Sequence, residues 1–203
     1  MTNKPFSESC EQNKAVIYEA IEPYLIDGFE VLEIGSGTGQ HAVHFAAMAP
    51  GIIWQASDLA ENMPAINAWI SDSQLFNLPE PLELDVNSQW MDKTYDLMFS
   101  ANTFHIMNQD QVEQFLLRCT ACLKAGGHLI VYGPFNYQGS YTSQSNERFD
   151  GWLKSRDPQS GIKHFEWIDT KARQSGLRLV NDITMPSNNR ILIWRHETYS
   201  AEK

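Results

Sequence analysis

Apolar positions recur along the chain in two alternating rhythms. From Glu11 to Leu25, Ala15, Val16, Ala20, Ile21 and Leu25 keep helical spacing. Ser9 is placed to cap that helix, with Gln12 three residues on, and the polar residues 1–10 are expected to be loosely held apart from Phe6. Phe29 to Ile34 is an apolar run that enters Gly35-Ser-Gly37-Thr-Gly39. A helix is expected next, with Ala42, Val43, Phe45, Ala46 and Ala49 as its apolar positions, stopped by Pro50-Gly51. Further strands are expected at 52–58, 81–86, 95–102 and 128–132, and further helices at 61–75 and 109–123, with a stop near Ala125-Gly126-Gly127. After Tyr132 the rhythm breaks. Residues 136–145 are polar, a short helix is expected at 147–153, and a further helix at 164–175. Strands 177–185 and 190–195, joined by Pro186-Ser-Asn-Asn189, read as a hairpin. Strand alternating with helix implies an α/β fold, a Rossmann-like, doubly wound and mostly parallel sheet with helices on both faces. The hairpin implies an antiparallel C-terminal strand. One domain over 1–203 is expected, with 133–161 an insertion over the acceptor side of the sheet's ligand edge.

Three glycines in five residues are costly in a compact domain unless the backbone must turn tightly or be approached closely. The helix that follows directs free N–H groups and a positive dipole end into the same space. A dinucleotide fold wants G-x-G-x-x-G, and here Gln40 stands at the sixth position with Gly39 one place early. No GK[ST] follows, which excludes a P-loop. Two predicted strands end in acids, Asp58 and Asp85. Each could be a cap or turn former, but at these separations from the glycine loop they fit a ligand site better.

Glu33-x-Gly35-x-Gly37-x-Gly39 resembles the motif of class I S-adenosylmethionine-dependent methyltransferases. The resemblance implies a seven-stranded sheet whose last strand is antiparallel, and S-adenosyl-L-methionine as cofactor. It implies Gly35, Ser36, Gly37 and Gly39 against the ribose and amino-acid tail, and Asp58, with Leu59 beside it, at the ribose hydroxyls. Glu33 would take the ammonium, Asp85 and Val86 would flank the adenine, and Asn102 would lie near the methyl. More closely, Ser9 to Lys14, Leu32 to His41, Trp54-Gln-x-Ser-Asp58, Asn102-x-Phe-His-Ile106 and Tyr132-Gly-Pro-Phe135-x-Tyr-x-Gly139 resemble a family of uncharacterised, single-domain methyltransferase-like proteins. That family has Arg where Gln12 stands, a departure that bears on any carboxylate that Arg would reach.

Methyl transfer needs alignment of acceptor, methyl and sulfur, and exclusion of water. Residues expected to face the methyl follow strands four and five: Asn102, His105, Tyr132, Phe135, Asn136 and Tyr137. Asn102, His105 and Tyr132 are the candidate catalytic residues, His105 as the base if the acceptor must lose a proton. Its alternative is a packing histidine at a helix start. Tyr141, Asn146, Asp150, Arg156 and Asp157 are candidates either for acceptor contact or for bracing the insertion. His41, His44 and His164 lack ligand-type spacing, so no metal is expected.

Composition narrows the partners. A net charge of −10 argues against a nucleic-acid or anionic-membrane partner. Three cysteines and no apparent signal segment point to the cytoplasm. Cys119 and Cys122 form a C-x-x-C, but they share a face with Phe115, Leu116 and Leu123 and read as core. No run of eighteen apolar residues exists to span a membrane. The expectation is a cytoplasmic methyltransferase acting on a small molecule. Its alternatives are a non-catalytic S-adenosylmethionine-binding module and, disfavoured by Gln40 and the hairpin, an NAD-dependent oxidoreductase.

Overall fold

The structure, a computed structural model, describes residues 4–197. Strands β1 (Glu30–Ile34), β2 (Ile53–Asp58), β3 (Leu82–Glu83), β4 (Tyr95–Ala101), β5 (Leu123–Gly133), β6 (Leu177–Met185) and β7 (Asn189–His196) form one sheet. Their order is β3-β2-β1-β4-β5-β7-β6. The first five run parallel, while β7 pairs antiparallel with both β5 and β6. The mostly parallel sheet and the antiparallel C-terminal hairpin are as the sequence implies. Helices α1 (Glu8–Ile21), α2 (Gln40–Met48) and α3 (Met63–Ser73) pack side by side, while α4 (Gln109–Cys122) packs with α6 (Phe165–Gln174). Helix α5 (Gln144–Arg156) lies within the expected insertion.

The core is divided in two by the sheet. Ile17, Phe45, Trp54 and Phe99 belong to one half, and Phe104, Phe115, Leu116 and Trp194 to the other. Cys119 and Cys122 are buried in the second half as ordinary core residues. Central strands buried on both faces read as continuous apolar runs, which is why β1, β4 and β5 were visible in the sequence.

Four boundaries differ from the sequence reading. The α1 cap is Ser7, whose side chain accepts from Cys10 N, in place of Ser9. The chain before it is held: Trp69 Nε1 donates to the Pro5 carbonyl at 2.7 Å, and Lys4 pairs with Asp72. Strand β3 ends at Glu83, because Asp85 Oδ1 accepts from Asn87 N at 2.8 Å and turns the chain. Leu123 enters β5 directly from α4, so Gly126 and Gly127 lie inside a strand rather than at a helix stop. Helix α5 is longer than 147–153 because its inward face, Asn146, Asp150 and Leu153, is largely polar and gave no apolar period.

Candidate functional site

Strand order reverses at β1, so the carboxyl ends of β1 and β4 diverge and leave a crevice between them. A cleft of about 1500 Å³ opens there. Its floor is the glycine loop. Gly35 N and Ser36 N both donate to the Ser57 carbonyl at 3.0 Å, pinning the loop to β2. Ser100 Oγ donates to the Ile34 carbonyl at 2.7 Å and pins β4 to β1.

Each glycine has a different task. Gly35 has φ 77, and a Cβ there would land inside the Thr103 methyl, so this glycine lets the loops after β1 and β4 meet. Gly37 has φ 59, and a Cβ there would meet nothing within 4 Å, so its backbone faces open space. Gly39, the left-handed N-cap of α2, would place a Cβ 3.1 Å from Ile66 Cα. Gly39 is therefore a helix-packing glycine and does not line the cleft.

The acids are held in distinct ways. Asp58 is 8% exposed. Its Oδ2 accepts from Gly37 N at 2.6 Å, and its Oδ1 accepts from Leu59 N at 2.7 Å and Asn62 Nδ2 at 2.9 Å. A carboxylate offers about four lone-pair sites, so acceptor capacity is left over on the cleft side. Glu33 is 1% exposed and lies beneath the cleft, where Oε2 accepts from Trp54 Nε1 at 3.0 Å and Ser36 Oγ at 2.9 Å. Burial raises its pKa to about 7 against the opposing effect of those two bonds. Asp85 and Val86 line the far wall, with the half-exposed Leu59 on the cleft side of β2.

The other end of the cleft is assembled from distant elements. Asn102 follows β4 with φ 60, a conformation uncommon for a residue with a side chain, and its N–H donates to the Tyr132 carbonyl at 2.8 Å. His105 is 7% exposed, and its Nδ1 has no hydrogen-bond partner among the described residues. Burial, with a smaller effect of Lys163, lowers its pKa to about 4, so the imidazole is neutral at pH 7. Phe149 of α5 meets it edge-on with centroids 5.2 Å apart. Tyr132 lines the same space, and burial raises its phenol pKa, with Asn13 and Asn189 beside it acting the other way.

The structure thus brings Gly35, Ser36, Gly37, Asp58, Leu59, Asp85, Val86, Asn102, His105 and Tyr132 to one cleft, together with Asn146 and Asp157. Several acceptor-side candidates lie elsewhere. Phe135 is fully buried in the core. The Asn136 backbone bridges to His164, and Tyr137 stacks on Phe165 and donates to Asp182. Tyr141 donates to Asp150 at 2.7 Å, and Arg156 lies over Trp152. These residues pack the insertion down. Among the described residues no group of three or more His, Cys, Asp or Glu could hold a metal ion.

Two walls were missed. One is α1, where Ser9, Gln12, Asn13 and Val16 line the cleft. Their i, i+3, i+4, i+7 spacing puts them on one helix side, and the polar Ser9, Gln12 and Asn13 among them were a readable signal. Asn13 Oδ1 lies 2.7 Å from His41 Nε2, and His41 too is neutral, its pKa lowered to about 4 by burial. The other wall is the hairpin turn Pro186–Asn189, which carried no signal of a site.

This sheet order, with its reversed seventh strand, is the architecture of the Rossmann-like methyltransferases. An O-methyltransferase family protein from Burkholderia thailandensis superposes with a TM-score of 0.78 over 93% of this chain, at 14% identity. Human N-acetylserotonin methyltransferase, solved in complex with S-adenosylmethionine, gives 0.77 over 94% at 16% identity. Mitomycin 7-O-methyltransferase gives 0.79 over 91%, also at 16%. The chain spans a little over half of those proteins, 58%, 53% and 54% respectively. Residues 4–196 match the family described as "Protein of unknown function (DUF938)", and the chain belongs to that family.

Proposed function

We propose that this chain is an S-adenosylmethionine-dependent methyltransferase acting on a small-molecule acceptor. The observation that carries the reading is the placement of Asp58. It is tied to the Gly37 amide across the glycine loop and still has acceptor capacity facing a cleft that Gly37 leaves open. The chemistry of the remaining donors fits the same cofactor. Leu59 and Val86 offer apolar contact for the adenine, Asp85 accepts from its amine, and Asp58 accepts from the ribose hydroxyls. Glu33, poised near neutrality beneath Ser36, would be held ionised by an ammonium above it.

When bound, S-adenosylmethionine would supply a methyl group on a positively charged sulfur. The chain's own contribution is orientation and exclusion of water. Asn102, His105 and Tyr132 form the acceptor side, and Pro134, Phe149 and Asp157 of the 133–161 insertion wall it off. With a pKa of about 4, His105 is a weak base at pH 7 and serves better to accept a hydrogen bond from the acceptor. No helix among the described residues is long and apolar enough to cross a membrane, and the three cysteines are unpaired, which supports a reducing, cytoplasmic setting.

The test is a calorimetric titration with S-adenosylmethionine and S-adenosylhomocysteine. Saturable binding is expected, and heat-free titration at millimolar ligand overturns the reading. Formation of S-adenosylhomocysteine with a metabolite extract separates an enzyme from a non-catalytic binding module.

A further inference from the structure

The cleft carries charge of one sign. Asp58, Glu61, Asp85 and Asp157 line it, and among the described residues no lysine or arginine does. Lys163 is buried and does not line the cleft, although its charge helps lower the pKa of His105. Lys163 Nζ donates to the Met107 and Gly161 carbonyls and so braces the 105–107 loop from behind. The two cleft histidines are neutral at pH 7. On α1, Gln12 puts an uncharged amide at the rim, bonded to Glu8. An anion entering this space would lose water and meet no cationic side chain lining the cleft, whose own charged side chains are all carboxylates.

What the acceptor half does offer is neutral. Part of the lining is apolar: Ile106 is 60% exposed, and Phe149 lies against the His105 ring. The lining also offers amides and a phenol, from Asn13, Tyr132, Asn146 and Asn189. His105, 7% exposed, lines the same cleft, and its Nδ1 is buried with no hydrogen-bond partner among the described residues. A buried polar group left in that state is costly unless a ligand completes it.

Resting on the methyltransferase reading, we infer that the acceptor is an uncharged molecule with an apolar face, seated on Ile106 and Phe149, and an O–H or N–H donated to His105. Carboxylated and phosphorylated molecules are excluded by the cleft. The selection is made by absent cations as much as by present contacts, a case of discrimination through what a competitor would leave unpaired.

The experiment uses the full chain and a panel matched in shape and differing in charge: 3-hydroxybenzyl alcohol, 3-hydroxybenzoate and 3-hydroxyphenyl phosphate. Affinities are read by ligand-observed NMR, with the protein saturated in S-adenosylhomocysteine and again without it. The neutral member should bind at least about tenfold more tightly than either anion, since a desolvated anion here has no partner. Phe149→Ala should weaken the neutral member. His105→Phe should lower the affinity for the alcohol more than for its methyl ether. Gln12→Arg, at an exposed rim position, should narrow the gap by admitting the anions. An anion bound as tightly as the alcohol, or no binding of the neutral member, overturns the inference. Failure of S-adenosylhomocysteine to bind overturns the cofactor reading instead, and the charge preference is then read from the panel on the protein alone.

Discussion

The two ends of the cleft are built on opposite plans. Around the glycine loop, the polar groups are already paired: Asp58 accepts three hydrogen bonds, Glu33 two, and the Gly35 and Ser36 amides both donate to Ser57. Around Asn102 and His105, strain and unmet hydrogen bonding collect. Asn102, Ser187 and Asn188, all cleft residues, have positive φ despite carrying side chains, and His105 Nδ1 is buried without a partner. Strain of this kind persists only where surrounding structure enforces it, and it concentrates at ligand sites. The paired end suits a ligand of fixed shape, recognised by a preset frame. The strained end suits a ligand that must complete the site.

The largest effect should come from Asp58→Ala. The change removes the acceptor for Gly37, Leu59 and Asn62 as well as the proposed ribose contact, and S-adenosylhomocysteine affinity should fall about 100-fold, or about 3 kcal/mol. Titration calorimetry measures it, and a loss under fivefold would detach Asp58 from the cofactor.

Next is the proton on Glu33. Its folded pKa of about 7 lies above the ordinary 4.5, so the folded state keeps a proton that the unfolded chain has lost above pH 4.5. Stability from this group is therefore full below pH 4.5, falls as pH rises, and reaches its floor above about 7. Glu33→Gln should be more stable than the native chain by about 2–3 kcal/mol at pH 8 and no more stable at pH 4. Denaturant unfolding at the two pH values reads the difference. The same variant should bind the cofactor more weakly, which marks Glu33 as a group kept for function at a cost in stability.

Gly35→Ala and Gly37→Ala separate scaffold from site. The first forces a side chain into Thr103 at φ 77 and should lower stability by about 2 kcal/mol or more. The second meets open space, so it should cost about 1 kcal/mol for its backbone conformation and act mainly on cofactor affinity. Thermal unfolding beside titration tests the pair, and equal stability losses would erase the distinction.

The smallest effect on the cofactor should come from Asn146→Ala. Asn146 Nδ2 donates to Thr142 and to the Asn188 carbonyl, at the acceptor end only. S-adenosylhomocysteine affinity should stay within about twofold, while binding of a neutral acceptor-like molecule drops several-fold. A matching fall in cofactor affinity would show that the two ends are coupled.

Legibility followed the same division. Strands β1, β2 and β4, the glycine loop and Asp58 were plain in the sequence, because an apolar run, a turn and a terminal acid are local and contiguous. Asp85 and Val86 were identified, but β3 was placed too long, since Asp85 works as a turn former as well as a wall of the cleft. Gly39 was read as a ligand contact, yet Ile66, twenty-seven positions away, is what requires it. In sequence, Phe135, Tyr137 and Tyr141 fit an acceptor wall and packing of the loop equally well, and the structure selects packing. Their side chains turn to the core, to Asp182 and to Asp150. The contribution of α1 was written in its polar stripe but needed the fold to give that stripe a place.

By itself the sequence determined the mostly parallel sheet with its antiparallel C-terminal strand, and the glycine loop followed by Asp58. Periodicity and glycine placement act over a few residues and do not depend on what packs where. Only the tertiary structure decided the acceptor end. Which side chains from α1, the 102–107 loop, α5 and the 186–189 turn face one space, and which sign of charge that space lacks, is fixed by packing between elements far apart in the chain. The loop at Gly35 to Gly37 lines one end of the cleft, and neutral side chains gathered from distant elements line the other beside His105.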